Sequence, residues 1–135
     1  MSGKEANMSS TKARRPVYLN LFRIRFPVGA IASIGHRVAG VVLAVLLPFL
    51  VAVFERSLNS EAAFHRIAEI LHGPLGIVTG LIVCWALIHH VLAGIRHLLM
   101  DVDIGSSLPV ARKTALMVLI GGGLAVLLML WSLLK

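Results

Sequence analysis

Two histidines, His90 and His97, stand seven residues apart near the end of a long apolar run, with Ala93 and Gly94 between them. On a helix these four positions fall at i, i+3, i+4 and i+7, so they form one stripe on which two imidazoles flank small residues. A flat cofactor fits such a stripe. The chain carries no charge from Gly73 to Ile95, and six residues at a rise of about 1.5 Å put His90 about 9 Å deeper along the helix than Arg96. An ionisable group in hydrocarbon needs a partner, and for a neutral imidazole a metal is a common one. His90 therefore suits the axial position of a haem iron; the competing reading is a histidine hydrogen-bonded to a neighbouring helix. His89 points about 100° away around the helix, so the adjacent pair cannot bind one iron together. No other histidine is both deep and on another helix, so a six-coordinate iron needs a second ligand from another polypeptide. His97, nearer the rim, suits either a haem propionate or a wet interfacial position.

A second group lies upstream. Ser33, His36, Arg37 and Gly40 share a helix face by the same spacing. A hydroxyl and a guanidinium one turn apart are suitable donors to a carbonyl oxygen that gains negative charge on reduction, as in a quinone. Arg37 also suits a carboxylate such as a propionate. The ordinary alternative is that arginine and histidine here are anchors at the membrane boundary. Arg96 and Asp101 read as solvated interfacial residues that pair with each other or position a loop. No Gly-rich phosphate loop, nucleophile triad or paired acidic site is present.

The elements that must hold these groups are apolar helices. Of 135 residues, 58% are hydrophobic and 14% charged, and mean hydropathy is +0.90, which indicates an all-α membrane protein. Cys84 is the single cysteine, which excludes an internal disulfide framework and a cysteine metal cluster and leaves a packed thiol. Net charge is +7, and seven of the thirteen Lys and Arg residues precede residue 38 with no accompanying stacking aromatics. Membrane orientation explains this distribution better than nucleic acid, which is not an expected partner.

In chain order, residues 1–26 form a polar and then mixed aromatic and cationic segment without a secretory core, read as cytoplasmic. Residues 27–135 form the membrane part, with spans expected over about 31–54, 74–100 and 113–134. Pro27 suits the first residue of a helix that runs to about Phe54 and holds Pro48, where a kink is expected. A short surface helix is expected around Glu61 to Leu71. Pro74 opens the second span, which includes Gly76 and Gly80; Asp101 to Pro109 reads as a loop. Thr114 to Leu134 is uncharged over 21 residues, and Gly121-Gly122-Gly123 in it makes sense where a neighbouring backbone comes near. The N-terminal region and second loop hold ten Lys and Arg residues against three on the other side, which puts the N-terminus in the cytoplasm and the C-terminus in the periplasm. Ser33, His36, Arg37, Arg96 and His97 then converge on the cytoplasmic rim.

Arg15-Pro16-Val17, Ile24-Arg25-Phe26-Pro27, Ala32-Ser33-Ile34-Gly35-His36-Arg37-Val38-Ala39-Gly40 and His90-Val91-Leu92-Ala93-Gly94-Ile95-Arg96-His97-Leu98-Leu99-Met100-Asp101 resemble the cytochrome b membrane-anchor subunit of proteobacterial succinate dehydrogenase. The resemblance covers about residues 14 to 134. It is carried by the motif S-I-x-H-R followed by H-x-x-x-G-x-R-H-x-x-x-D, which together are much more specific than either alone. It implies an anchor subunit of succinate:ubiquinone oxidoreductase, respiratory complex II, in the bacterial inner membrane. Such a subunit packs with a second small membrane anchor around haem b. It holds a flavoprotein subunit with FAD and an iron–sulfur subunit, and it contributes to the ubiquinone site without oxidising succinate itself. Position by position, His90 takes the haem iron ligand's place, Ser33 and Arg37 the quinone-site positions, and His36 with Arg37 the place where propionates are held. The chain departs from the pattern at Ala39, where the family often has Ser or Thr, and at His89, where an aromatic can precede the ligand. Register with Gly94 and His97 favours His90. A fumarate reductase anchor and a haem-free structural anchor are the rival readings, and the resemblance leaves room for a trimer of complexes.

Overall fold

A computed structural model describes residues 25–135. The readings placed on Arg15-Pro16-Val17 and on Tyr18 to Ile24 lie outside the described residues. Four helices follow one another: α1 (Val28–Ser57), α2 (Glu61–His72), α3 (Pro74–Asp101) and α4 (Leu108–Leu133). Of these, α1, α3 and α4 are long and apolar enough to cross a membrane. The short α2 is amphipathic; the Ser60 hydroxyl caps it by accepting the Ala63 N–H at 3.1 Å.

Helix ends differ modestly from expectation. Pro27 is the N-cap of α1 in extended conformation and not its first helical residue, since the lack of a proline N–H is tolerated equally well one position earlier. α1 also continues three residues beyond Phe54, and Pro48 lies inside it. α4 begins at Leu108, so Pro109 falls in its first turn and the loop expected over Asp101 to Pro109 shrinks to 102–107. That connection is short because Asp103 and Gly105 adopt positive φ, 62° and 75°, which lets the Ile104 N–H donate back to the Leu99 carbonyl at 2.8 Å.

The three long helices pack mutually. Contacts run in opposite order along α1 and α3: Gly29 lies near Arg96 and Gly40 near His90. The same reversal joins α3 to α4, where Gly122 meets His89 and Met129 meets Gly80. Both neighbouring pairs are therefore antiparallel. The core is built from small residues, Ala32, Ala39, Ala86, Ala93 and Ala115, with Val118 and Gly122. Most large apolar side chains, such as Val41, Leu47 and Phe49, are exposed on the outside of the bundle. This distribution suits lipid, where close backbone approach and not burial of large side chains drives helix association.

Gly122 shows the tolerance of this packing. A Cβ there would stand 3.3 Å from His89 Nδ1 and 3.4 Å from Trp85 Nε1, whereas one at Gly123 meets nothing within 4 Å. Gly122→Leu is therefore expected to destabilise the bundle by about 1–3 kcal/mol through overpacking. Gly123→Ala should leave stability unchanged or raise it by up to about 1 kcal/mol through helix propensity. Thermal unfolding of the two purified variants in detergent checks this, and equal midpoints would contradict the assigned packing.

Candidate functional site

The α3 segment from Trp85 to Arg96 presents two neighbouring stripes. Ala86, His89, Ala93 and Arg96 are buried inside the three-helix bundle, while His90, Gly94 and His97 are half-buried beside α1. Adjacent residues on a helix differ by about 100°, so one imidazole turns inward and the next lies along the α1–α3 edge. Each is held differently.

His90 donates from Nδ1 to the His36 carbonyl at 3.2 Å. A carbonyl can only accept, so Nδ1 carries the proton and Nε2 keeps its lone pair. The His90 and His36 rings lie face to face at 4.2 Å with an interplanar angle of 20°, and the His97 ring is 5.3 Å from His36, tilted by 49°. Glycines make room for this group. A Cβ on Gly40 would come within 3.0 Å of His90 Cε1, and one on Gly94 within 3.5 Å of His36 Nε2. The structure thus brings together His36, His90 and His97 from two helices. Ser33 is half-buried one turn before His36, and Arg37 is exposed. Among the described residues, no hydrogen bond joins Arg37 to the three histidines.

His89 is enclosed, at 1% exposure the largest fully buried side chain. Its Nε2 donates to the Ala32 carbonyl at 3.3 Å, and its ring stacks on Trp85 at 5.2 Å. Glycines again form the slot: a Cβ on Gly35 would fall 2.6 Å from His89 Nε2. Nδ1, on the Gly122 side, has no hydrogen-bond partner. The two adjacent histidines therefore differ: the unengaged nitrogen of His89 is enclosed, whereas that of His90 lies at the edge of the bundle.

Arg96 corrects the reading of a solvated interfacial residue. It is 9% exposed, with Nε donating to Thr114 Oγ1 and Nη2 to the Ala111 carbonyl, each at 3.2 Å. The carbonyl of Ala111 lies in the first turn of α4, where its neighbours leave room for a long side chain to reach across from α3. Arg96 does not pair with Asp101; it ties α3 to α4 at the end of the bundle where Gly29 begins α1. Asp101 is exposed, as expected. The i+7 relation between His89 and Arg96 was the available signal for this inward stripe, with Ala93 between them as the small residue that permits close packing.

Chemically, the His90 imidazole has Nδ1 fixed by a backbone carbonyl, an arrangement that commonly supports a ligating histidine. Among the described residues, no group of three or more His, Cys, Asp or Glu is arranged to hold an ion. A single imidazole of this kind fits a metal whose other ligands arrive with it, as in a macrocycle.

Comparison with known proteins agrees with these features. The sequence profile described as "Succinate dehydrogenase/Fumarate reductase transmembrane subunit" matches residues 11–130. The chain is 36% identical over 117 residues to the succinate dehydrogenase cytochrome b556 subunit of Coxiella burnetii (strain RSA 493 / Nine Mile phase I), covering 86% of this chain and 94% of that one. It is 32% identical over 106 residues to the corresponding subunit of Paracoccus denitrificans, covering 77% and 80%. A matched profile across most of the chain, two relatives of nearly the same extent and three apolar helices converge on one conclusion: the chain belongs to the succinate dehydrogenase/fumarate reductase transmembrane subunit family, as a cytochrome b membrane anchor of succinate dehydrogenase, complex II.

Proposed function

We propose that this anchor holds haem b through His90 and contributes Ser33 and Arg37 to a ubiquinone site at the cytoplasmic rim. The observation that carries the reading is the bond from His90 Nδ1 to the His36 carbonyl. It sets the tautomer in which Nε2 faces a metal as a lone pair, and it raises the basicity of that ligand. The His36 ring lies face to face with that of His90, so His36 would help to hold the haem and would not bind its iron. The second iron ligand would come from the other small membrane anchor. His36, Arg37 and His97 supply N–H donors for the haem propionates. Bound there, haem b supplies a one-electron redox centre.

Ser33 donates a hydrogen bond to one quinone carbonyl, and the exposed Arg37 guanidinium stabilises the charge that grows on that oxygen as the ring is reduced. Arg37 is exposed within this chain, consistent with a site completed by partner subunits. FAD on the flavoprotein subunit and the clusters of the iron–sulfur subunit would supply the two electrons from succinate, and two protons would complete the quinol. The charge distribution supports an N-terminus in the cytoplasm and a C-terminus in the periplasm, with the soluble subunits on the cytoplasmic side of the bacterial inner membrane.

Two substitutions test the assignment. In the purified complex, His90→Ala is expected to abolish the low-spin ferric signal of a haem with two histidine ligands; an unaltered electron-resonance spectrum would remove His90 from the iron. Arg37→Ala is expected to lower ubiquinone reduction about 100-fold, the scale for losing one donor to a developing oxyanion. Succinate oxidation by an artificial acceptor should stay intact, and equal loss of both activities would point to assembly.

A further inference from the structure

His89 is not needed to bind iron, and its burial is costly. A buried nitrogen without a partner is destabilising, and Nδ1 is such an atom. A phenyl ring at this position would keep a planar face toward Trp85 without leaving an acceptor unpaired. What only the imidazole provides is the Nε2–H donated to the Ala32 carbonyl.

That bond stands beside another. His89 donates to the carbonyl of Ala32 and His90 to that of His36, two carbonyls one turn apart on α1. Two adjacent donors on α3 gripping successive turns of α1 fix both the height and the rotation of α3 against α1. Neither grip has much slack, because the bonds are 3.3 and 3.2 Å long, at or just past the long end of the range for such bonds. A side-chain atom about 6 Å from a helix axis moves about 1 Å for each 10° of helix rotation, enough to break the bond.

We propose that His89 is a positioning residue for the haem: its bond to Ala32 sets the rotation of α3 that keeps the His90 Nδ1–H on the His36 carbonyl, and so tunes the iron. The inference rests on the assignment of His90 as the haem ligand. A firm Nδ1–H bond makes the ligand more basic and favours ferric iron. Its weakening raises the midpoint potential and reorients the imidazole plane, which alters the low-spin g values.

The test uses the whole four-subunit complex and reads haem content, midpoint potential and electron-resonance spectrum. His89→Phe, which keeps a planar ring and removes the donor, is expected to raise the potential and shift the g values. His89→Gln, whose amide N–H reaches the place of Nε2, is expected to restore both towards wild type. Gly35→Ala, whose Cβ would stand 2.6 Å from His89 Nε2, is expected to reproduce the upward shift with His89 intact. Haem lost from the Phe variant and kept by the Gln variant supports the proposal in the same way. Wild-type potential and g values in a haem-loaded His89→Phe complex would overturn it, as would Gln behaving like Phe, Gly35→Ala leaving the haem unchanged, or both His89 variants failing to assemble. Haem absent from the unsubstituted complex would instead defeat the ligand assignment itself.

Discussion

In hydrocarbon, a polar group has no water to fall back on, so a ring N–H placed there must find its acceptor within the protein. In this bundle the two inward donors of α3, His89 Nε2 and His90 Nδ1, are answered by main-chain carbonyls of α1. Those carbonyls already belong to the hydrogen-bond ladder of their own helix, and each uses its second lone pair. Side chains can reach a helix backbone in this way only where that helix presents almost no side chain of its own. Ala32, Gly35, Ala39 and Gly40 provide that bare face on α1, and Gly122 provides it on α4. The small residues and the histidines are thus one design, since neither arrangement is possible without the other.

The far end of α3 repeats the arrangement with a stronger group. Arg96 gives its N–H groups to a hydroxyl and a carbonyl in the first two turns of α4. A charged donor strengthens such bonds relative to neutral ones, and here they join α3 to α4 close to the tight 102–107 connection. α3 is consequently held by imidazoles on the α1 side and by a guanidinium on the α4 side. It is the central element of the bundle, and the half-buried histidine edge inherits its rigidity.

Much of this was legible in the residues. Uncharged length gave the three long helices, and the Glu61 to Leu71 spacing gave α2, because both depend on local pattern alone. The cluster of His36, His90 and His97 was visible only as two separate stripes; their meeting depends on the antiparallel pairing of α1 with α3. Which face of α3 turns inward was not legible, because a helix that is apolar all round has no polar side to set its phase. The phase comes from small residues, and Ala86, Ala93 and Gly94 are compatible with more than one choice. For the same reason Arg96 looked interfacial. A long cation near a helix end ordinarily reaches water, and only the positions of Thr114 and Ala111 on the next helix turn it inward.

The placement of one imidazole inside and its neighbour at the edge follows from the 100° step of the helix, and it separates two requirements that a single residue cannot meet. A ligand for a shared cofactor must stay open on one side, which leaves it poorly constrained by its own chain. A structural histidine must be enclosed, which denies it to any ligand. Because His89 and His90 share one stretch of backbone, constraint on the first is transmitted directly to the second. The half-buried edge formed by His36, His90 and His97 therefore remains accessible while its geometry is still set within this chain.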